Sequence, residues 1–281
     1  MDSLAAYLDR WELTRDGEAV VTATATLVPV RRRGEPALLK ILSGASDEAL
    51  AARALRYFAG HGAVRVLRED RGAVLVQRPV PGSPLSALVA AGYDDEATAV
   101  LAEAMLRLHH GKRPPPGWPT LADWAECFAR HRALGGHRRL SQRLLDRGEG
   151  AFGEMLGSQG RQYLLHGDLH HDNVLRDERE GWLVIDPRGV VGESAFETAA
   201  ALRNPVDFFP FQLDASVMTR RVAIFAEHLA VDRRRILGWY VGQSVLAACW
   251  LAEDAAPDEA IARAVRLAEA GVALMDRTAP P

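Results

Sequence analysis

A short polar segment, residues 166–173, contains the side chains of this sequence that are best suited to chemistry. It reads His-Gly-Asp-Leu-His-His-Asp-Asn, so that Asp168 and Asn173 lie five positions apart. A second carboxylate, Asp186, comes 18 residues after Asp168, at the end of an apolar stretch. An aspartate that accepts the proton of a hydroxyl group, with an amide and a carboxylate oxygen that hold Mg²⁺, is the set of groups that phosphoryl transfer requires.

The spacing of these residues also indicates phosphoryl transfer. Protein kinases use a His-x-Asp sequence, an asparagine five positions after the aspartate, and a second aspartate at the end of a later strand. The sequence therefore predicts Asp168 as the catalytic aspartate, with Asn173 and Asp186 as ligands of Mg²⁺. The alternative is a polar turn that happens to be followed by an acidic strand end.

Lysine is rare in this chain, which makes the position of Lys40 informative. Of the 34 basic residues only Lys40 and Lys112 are lysines. Lys40 lies within an apolar stretch, where a charge is costly unless it is paired or binds a phosphate. We predict that Lys40 binds the α- and β-phosphates of a nucleotide and that Glu48 holds it, with Glu69 as a weaker partner. The alternative is that Lys40 lies on the solvent face of an edge strand.

The surrounding sequence predicts an α+β fold that begins with strands and ends with helices. Alternating β-branched and apolar residues indicate strands early in the chain, with one helix over 47–61 and a connector rich in proline and glycine at 79–84. The predicted strands are 19–29, 37–42, 63–67 and 73–77. The predicted helices beyond the connector are about 86–110, 121–147, 196–203, 215–229, 232–254 and 258–275.

The catalytic groups are expected on a short β-like part of the chain between these helices, residues 163–190. Two apolar segments, 174–175 and 183–185, flank a charged turn and predict a hairpin. Asp186 would then come directly after the second strand of the hairpin, close to the loop that carries the other polar residues.

The chain is predicted to form two unequal lobes. We expect a nucleotide-binding lobe over 1–78, a connector over 79–85, and a helical lobe with the catalytic loop and the acceptor site over 86–281. A cleft between two lobes is a common place for a small-molecule site.

Composition excludes several classes of protein. Hydrophobic residues make up 48% of the chain and charged residues 25%, as in an ordinary folded domain. The net charge of −3 argues against a nucleic-acid partner. No stretch approaches the roughly 20 apolar residues of a membrane span. Cys127 and Cys249 are too few for a disulfide framework and are expected to be buried thiols. No signal peptide is expected, so we predict a cytoplasmic protein; monomer and homodimer stay equally open.

With these motifs in view, the sequence resembles the aminoglycoside phosphotransferase family and, within it, the streptomycin and hydroxyurea resistance kinases. The family signature is HGDxHxxN, here residues 166–173, followed by an apolar strand that ends in IDP, here 185–187. The likeness covers about residue 10 to the C-terminal helices. Weaker features of this branch are found at 62–67, 81–85, 189–193, 202–205 and 249–254.

The resemblance implies a bilobal protein-kinase-like fold, with a small antiparallel-sheet lobe and a larger helical lobe. It implies ATP and Mg²⁺ as cofactors and transfer of the γ-phosphate to a hydroxyl group of a small molecule such as an aminoglycoside. It places the adenine near Gln77, Arg78 and Val80, at the start of the connector, where the backbone would serve as a hinge. It also implies that His166 braces the catalytic loop without titrating.

Two positions depart from the pattern of the family. Glu197 stands where relatives often carry an aspartate that supports the catalytic loop, and we expect no direct metal role for it. The segment 22–26, Thr-Ala-Thr-Ala-Thr, lacks the glycines that protein kinases place over the phosphates. Its small side chains are expected to let the backbone approach the nucleotide.

The acceptor pocket should offer carboxylates and a flat apolar surface if the substrate is a polycation. The candidates for this role in the helical lobe are Glu193, Asp207, Trp250, Glu253 and Asp254. The alternative for Glu253 and Asp254 is that they are solvent-exposed residues at the end of a helix with no role at the site.

Three other interpretations stay open at this point. The same catalytic groups would serve a kinase of an amino sugar, another sugar or a polyol. The histidines and aspartates of 166–172 could instead be ligands of a metal-dependent hydrolase. A chain with these motifs could also be a non-catalytic module that binds a nucleotide.

Overall fold

The computed structural model describes residues 4–22, 24–43, 47–70, 72–109 and 114–278. A mixed sheet-and-helix part comes first and a mainly helical part follows. The early elements are α1 (Leu4–Arg10), β1 (Leu13–Arg15), β2 (Val20–Val21), β3 (Ala25–Arg32), β4 (Glu35–Leu42), α2 (Asp47–Tyr57), β5 (Val66–Glu69) and β6 (Ala73–Gln77).

The six early strands form one antiparallel sheet. Its order is β1-β3-β4-β6-β5, with β2 beside β3. The predicted strand 73–77 coincides with β6, whereas the predicted strand 19–29 is divided between β2 and β3. The predicted strand 63–67 begins only at Val66.

Both faces of this sheet are covered. On one face, Leu39 and Leu75 pack with Tyr7 of α1 and with Trp11, which follows it. The other face packs against α2 and the helical part of the molecule. Because side chains alternate along a strand, Lys40 lies on this second face of β4, opposite to Leu39.

The connector contains a strand that the sequence does not predict. Prolines at 81 and 84 argue against a strand, yet this segment pairs with the strand that follows the catalytic loop, at the positions Pro81↔Asp177 and Pro84↔Leu175. The predicted hairpin is confirmed, and its first strand lies between the connector strand and the second strand of the hairpin. The later strands are β7 (Pro81–Pro84), β8 (Gln162–Leu165), β9 (Val174–Asp177), β10 (Gly181–Val184) and β11 (Val190–Glu193).

Two of the predicted helices are each divided in two. Gly92 has φ +87°, and Gly135 and Gly136 have φ +86° and +71°, conformations that end a helix and that glycine adopts at little cost. The later helices are α3 (Ser86–Ala90), α4 (Asp94–Leu108), α5 (Leu121–Ala133), α6 (Gln142–Gly157), α7 (Thr198–Arg203), α8 (Ala215–Leu229), α9 (Arg233–Glu253) and α10 (Asp258–Arg277).

Helix α9 lies at the centre of the helical part. It approaches α6 so closely that a Cβ at Gly242 would lie 2.9 Å from Phe152 Cβ. Cys127 of α5 and Cys249 of α9 are both buried free thiols, as predicted. The interior of this part is therefore built around α9, and the catalytic strands pack beside it.

Candidate active site

The catalytic loop begins where β8 ends. β8 pairs antiparallel with β11, so that Leu165 lies opposite Val190 and both are fully buried. His166 follows and is also fully buried. Backbone hydrogen bonds from Arg188 N–H and Gly189 N–H to His166 O, at 2.8 and 3.1 Å, hold the loop against the segment that follows Asp186.

The imidazole of His166 joins the two segments of the site. Its Nε2 lies 2.7 Å from Ile185 O, and its Nδ1 accepts a hydrogen bond from Asp168 N–H at 3.2 Å. Because a carbonyl oxygen can only accept, Nε2 carries the proton and the ring is neutral. The ring of His166 thus connects the catalytic loop to the strand before Asp186, which is where the bracing role implied by the resemblance would place it.

Glu197 supports the same loop from the opposite side. Its carboxylate is buried and accepts hydrogen bonds from His166 N–H and from Gly167 N–H, the latter at 3.2 and 3.3 Å to its two oxygens. Both oxygens are thus directed at the backbone of the loop. These contacts place Glu197 directly behind the catalytic loop, and its supporting role stays a prediction.

Gly167 can occupy its position only because it lacks a side chain. Its φ is +85°, and a Cβ there would lie 2.8 Å from Cη2 of Trp124. The indole of Trp124 therefore packs directly on the catalytic loop, one residue from Asp168.

Asp168 presents a carboxylate that stays ionised. Its side chain is 29% exposed, and Arg188 Nε donates to its Oδ2 at 3.4 Å. Burial would raise the pKa of Asp168, but the nearby charges of His170 and Arg188 lower the pKa by more, so that it lies below its usual range. Burial also lowers the pKa of His170, and the Arg188 and Arg203 guanidiniums add further positive charge that lowers the pKa of Asp168.

Asn173 is oriented by the loop that carries Asp168. Its Nδ2 donates to Asp168 O at 2.9 Å and lies 3.2 Å from Nε2 of His170. Since the amide nitrogen is directed at these acceptors, Oδ1 is the atom left for a cation. Ile185 N–H in turn donates to Asn173 O at 2.9 Å, which fixes the approach of the Asp186 segment.

Asp186 and Lys40 meet across the cleft. The Lys40 ammonium forms an ion pair with Asp186 Oδ1, and Lys40 is only 9% exposed. Asp186 has φ +55°, a left-handed conformation that aspartate tolerates better than most residues. Lys40 is therefore on an inner face of the sheet and not on a solvent-facing edge.

Neither of the two partners that the sequence predicts for Lys40, Glu48 and Glu69, is confirmed. The side chain of Glu48, at the start of α2, lies outside the described residues, so its role stays a prediction. The weaker candidate Glu69 forms an ion pair with Arg56 of α2.

Asp168, Asn173 and Asp186 line one cavity of about 470 Å³. Its floor consists of the catalytic-loop residues and Asp186, one wall comes from the sheet part and α2, and the other wall comes from α5 and α9. The lining residues are Thr24, Leu50, Ala51, Pro119, Asp123, Trp124, Arg130, Asp168, His170, Asn173, Asp186, Pro187, Arg188 and Trp250. The sequence singled out Asp168, Asn173, Asp186 and Trp250 from this set, with Thr24 as a contact of the 22–26 segment.

The role of Val80 at the adenine stays a prediction, and in this structure both polar groups of its backbone are bonded within the chain. Val80 N–H donates to Asp177 Oδ2 at 3.1 Å, and Val80 O accepts from Glu178 N–H at 2.8 Å. The turn between β9 and β10 therefore holds the backbone of Val80 on both sides.

Gln77 and Arg78 are also held by other residues, although their roles at the nucleotide stay predictions. Gln77 Nε2 donates to Glu180 Oε1 at 2.7 Å, and Gln77 Oε1 accepts from Arg65 N–H at 3.3 Å. Arg78 forms an ion pair with Asp16.

Glu193 is not at the acceptor site, which corrects the prediction from the sequence. It is 6% exposed and lies among buried groups. Arg235 donates to its two carboxylate oxygens at 2.5 and 2.7 Å, and Trp239 Nε1 also donates to it. Such a carboxylate is a structural charge, because its oxygens are already satisfied by a cation and an indole.

The other acidic candidates also lie off the cavity wall. Glu253 accepts from Cys127 Sγ at 3.4 Å and pairs with the lining residue Arg130 at 3.5 Å, but it does not itself line the cavity. Asp207 and Asp254 are exposed and do not line the cavity. Trp250 does line it, in an edge-to-face contact with Trp124 at 5.2 Å between ring centres.

Several lining residues were missed because their local sequence gives no signal for a site. Trp124 and Arg130 belong to α5, whose pattern is that of an ordinary amphipathic helix, and Asp123 serves as part of its N-terminal capping box with Thr120. Arg188 is the exception, because it directly follows the IDP motif, which is a signal in the sequence that it lies near the site.

Among the described residues, no group of three or more His, Cys, Asp or Glu side chains is placed to hold a metal ion. The motif histidines have other surroundings: His166 bonds the backbone, and His171 is 1% exposed. Across the same described ranges, no helix is both long and apolar enough to cross a membrane.

Fold and site together define a protein-kinase-like phosphotransferase that acts on small molecules, as the α+β, two-lobed prediction expected. The chain belongs to the aminoglycoside/hydroxyurea antibiotic resistance kinase family, whose model matches residues 10–255. This confirms the resemblance found in the sequence and removes the metal-dependent hydrolase from the alternatives.

Relatives with assigned activities span most of the chain. A streptomycin 3''-kinase of Klebsiella pneumoniae is 32% identical over 88% of this chain and 91% of its own length. A streptomycin 6-kinase of Streptomyces glaucescens is 36% identical over 94% of this chain and 86% of its own length. A hydroxyurea phosphotransferase of Kitasatospora aureofaciens is 34% identical over 95% of this chain and 79% of its own length.

Solved structures share the fold at lower identity. A thermostable mutant of aminoglycoside phosphotransferase APH(4)-Ia, in a ternary complex with ADP and hygromycin B, superposes with a TM-score of 0.69 at 15% identity, over 99% of both chains. A choline/ethanolamine kinase family protein from Mesorhizobium loti gives 0.66 at 17% identity, over 93% of this chain and 89% of its own.

Proposed function

We propose that this chain transfers the γ-phosphate of ATP to a hydroxyl group of a streptomycin-type aminoglycoside, with Mg²⁺ as cofactor. The observation that carries the proposal is the single cavity in which Asp168, Asn173 and Asp186 lie beside the paired indoles of Trp124 and Trp250. Relatives named streptomycin 3''-kinase and streptomycin 6-kinase support this class of acceptor.

The donor atoms at the floor of the cavity suit Mg²⁺. The amide oxygen of Asn173 and the carboxylate of Asp186 are hard oxygen ligands of the type that Mg²⁺ prefers. When bound there with the nucleotide, Mg²⁺ neutralises negative charge on the phosphates. Lys40, which the structure pairs with Asp186, can turn to the α- and β-phosphates without leaving the cleft.

Asp168 supplies the group that acts on the acceptor. Its carboxylate accepts the hydrogen bond of the acceptor hydroxyl and directs the oxygen at the γ-phosphorus. A bond forms between that oxygen and phosphorus while the bond to the bridging oxygen of ADP breaks, and the hydroxyl proton passes to Asp168. Because the pKa of Asp168 lies below its usual range, the proton moves late, and the main contribution is orientation.

The wall formed by α5 and α9 suits a cationic acceptor. Asp123 accepts hydrogen bonds from Thr120 N–H at 2.7 Å and from the Thr120 hydroxyl at 2.8 Å, and these bonds lower its pKa. Asp123 therefore stays charged, and no ion pair neutralises it among the residues that the structure describes. A carboxylate beside indole rings attracts organic cations by charge and by cation–π contact. Trp124 joins this wall to the catalytic loop through Gly167.

A second acceptor class has support from one relative. The hydroxyurea phosphotransferase is nearly as similar as the streptomycin kinases, and its named substrate is small and neutral. Neutral sugars and polyols would use the same catalytic groups. Neutral acceptors would not need the charge of Asp123, whereas a cationic aminoglycoside would. The two classes of acceptor therefore differ in whether they depend on Asp123.

The test is ADP release by the purified protein with ATP and Mg²⁺. The acceptors are streptomycin, amino sugars, neutral sugars and polyols, and hydroxyurea, and tandem mass spectrometry locates the phosphate on any product. Asp168→Asn keeps the shape of the side chain but removes the proton acceptor, so we expect transfer to fall by about 10²- to 10⁴-fold while ATP still binds.

The outcomes separate the alternatives. Phosphorylated streptomycin that depends on Asp168 supports the proposal. Turnover of hydroxyurea or a neutral sugar alone would refute the acceptor class but keep the kinase mechanism. Nucleotide binding with no transfer to any acceptor would instead indicate a non-catalytic module.

A further inference from the structure

Arg53 of α2 makes an unusually specific contact with the helical part of the molecule. Its Nη1 donates to Gly117 O at 2.7 Å and its Nη2 donates to Pro116 O at 3.2 Å. The guanidinium carbon also lies 3.9 Å from the centre of the Trp118 ring, over its face. One planar cation thus binds two carbonyl oxygens and an indole in the segment that precedes α5.

Trp118 contacts a third part of the site. A Cβ at Gly189 would lie 2.9 Å from Trp118 Cζ3 and 3.2 Å from Ala54 Cβ, so the backbone at Gly189 lies tightly between this indole and α2. Trp118 is 8% exposed. Helix α2, the segment before α5 and the loop after Asp186 therefore meet at one tryptophan.

Each of these three parts supplies residues to the active-site cavity. Helix α2 contributes Leu50 and Ala51, and the residue after Trp118, Pro119, lines the opposite wall. The loop after β10 contributes Asp186, Pro187 and Arg188 to the cavity. Gly189 is the last residue of this loop, and its N–H donates to His166 O at 3.1 Å. The Arg53–Trp118 contact thus lies behind the cavity and fixes its two walls relative to the metal-binding floor.

We propose that Arg53 is a positioning residue for phosphoryl transfer, holding α2 against Trp118 so that the nucleotide side of the cavity is formed before ATP binds. The proposal rests on the kinase activity but not on the identity of the acceptor. Without the contact, α2 loses its polar connection to the segment before α5, and Leu50 and Ala51 lose their fixed position. ATP would then have to order this wall, and its apparent affinity would fall.

The geometry requires arginine and not merely a positive charge. A guanidinium presents a planar fork that donates to two carbonyl oxygens while its face stacks on an indole. A lysine ammonium at this position could reach one carbonyl but could not stack in the same way. Arg53→Lys therefore tests geometry separately from charge.

The chain offers a matched control on the same helix. Arg56 is three residues further along α2, its side chain is 51% exposed, and it pairs with Glu69 inside the sheet part. Arg56→Ala removes the same charge from the same helix but leaves the contact to Trp118 intact. Its KM for ATP should stay within about twofold of wild type, as expected for an exposed ion pair.

We expect Arg53→Ala to raise the KM for ATP by about tenfold, equivalent to roughly 1.4 kcal/mol, and to leave the KM for the acceptor within about twofold. Arg53→Lys should resemble Arg53→Ala. Trp118→Phe, which keeps an aromatic face in the buried site, should give a smaller increase. The dissociation constant of ADP, measured calorimetrically without acceptor, should follow the same order.

A lower melting temperature for Arg53→Ala with wild-type KM for ATP and wild-type ADP binding would show that Arg53 is only structural and would overturn the proposal. Full rescue by Arg53→Lys would refute the stacked geometry. Because ADP binding is measured without acceptor, the result stands even if no acceptor in the panel is phosphorylated. The two proposals therefore fail on different measurements.

Discussion

The surroundings of a carboxylate decide whether it can meet a substrate. Asp123 is exposed on the cavity wall, and within the described ranges its carboxylate is bonded by the neutral donors of Thr120 and by no cation, so its charge is available to a ligand. Glu193 is buried, and both its oxygens are held by Arg235. From residue type alone, Asp123 and Glu193 are equally good candidates to bind a substrate. The fold shows that Asp123 is accessible to a ligand and Glu193 is not.

This difference gives a prediction for Glu193. Glu193→Gln should destabilise the protein by about 3 kcal/mol, because the charge of Arg235 loses its partner in a largely buried site. The KM values for ATP and acceptor of the folded variant should stay within about twofold of wild type. Urea unfolding and steady-state kinetics measure the two effects, and a raised acceptor KM at unchanged stability would contradict the structural assignment.

The paired indoles give a second prediction at this scale. Trp250→Leu removes a ring that lines the cavity, so we expect the KM for a cationic acceptor to rise about tenfold, within the range of a cation–π contact. Trp182→Leu is the control, because Trp182 is half-buried on β10 outside the cavity. Equal acceptor KM values for the two variants, measured with ATP saturating, would argue against the indole wall.

Residues in a contiguous motif were predictable, whereas residues joined only by tertiary packing were not. Asp168 and Asn173 share one loop, and Asp186 follows a short hairpin, so local spacing alone brings them together. Trp124 and Trp250 are 126 positions apart on α5 and α9, and nothing in either helix shows that the two rings meet.

At the scale of elements, the turn between β9 and β10 fastens the connector to the helical part. Asp177 accepts hydrogen bonds from Val80 N–H at 3.1 Å and from Arg179 and Glu180 N–H, both at 2.9 Å. Glu180 forms a two-oxygen ion pair with Arg65 of the sheet part, at 2.8 and 2.9 Å. The turn therefore sets the relation between the two parts of the molecule at the edge of the nucleotide cleft.

Asp177 allows this arrangement to be tested. Asp177→Ala should cost about 1–3 kcal/mol, because it leaves backbone donors without acceptors in a site that is 7% exposed. Burial raises the pKa of Asp177, but the backbone hydrogen bonds lower it by more, so the net pKa is lowered. The stabilisation is therefore full above the unfolded pKa of about 3.9 and is lost as the pH falls through the folded pKa.

The measurement is urea unfolding of wild type and Asp177→Ala at pH 7 and at pH values below about 4. The stability difference should be largest at pH 7 and shrink on acidification. A difference that is independent of pH would show that the carboxylate charge does not contribute. Tighter ADP binding by the variant would further indicate that the released Val80 N–H is available to the base.

Element prediction failed where pairing depends on distant partners. Proline lacks a donor, so residues 81–84 were assigned to a connector, but β9 supplies the partner strand about 90 residues later. The breaks at Gly92 and at Gly135–Gly136 interrupt helical patterns that continue on both sides. In contrast, α8 follows its predicted range because an apolar face alone defines it.

At the scale of the molecule, one apolar cluster crosses from the sheet part to the helical part. It includes Val64 and Val74 of the early chain together with Leu85, Val184 and Tyr240. The two parts are therefore expected to unfold together, since neither buries this cluster alone.

A buried ion pair connects the helices around this core. Arg221 of α8 is 1% exposed, its Nε lies 3.1 Å from both oxygens of Asp94 at the start of α4, and its Nη1 donates to Asn204 O at 2.7 Å. Arginine is suited to this position because one guanidinium can bind a carboxylate and a carbonyl together. The 32 arginines of the chain thus include interior residues with defined partners, and not only surface charges.

This pair gives a prediction for the whole molecule. Asp94→Ala should destabilise the protein by about 3–5 kcal/mol, because it leaves the Arg221 charge buried without its partner. The double variant Asp94→Leu with Arg221→Met should recover much of that loss, since no unpaired charge remains. The neighbouring pair Arg220–Asp95 joins the same two helices at 3.3 Å but is about half exposed, so Asp95→Ala should cost less than about 1 kcal/mol. Urea unfolding of the four proteins measures these differences, and an equal cost for Asp94→Ala and Asp95→Ala would show that burial does not decide the contribution of the pair.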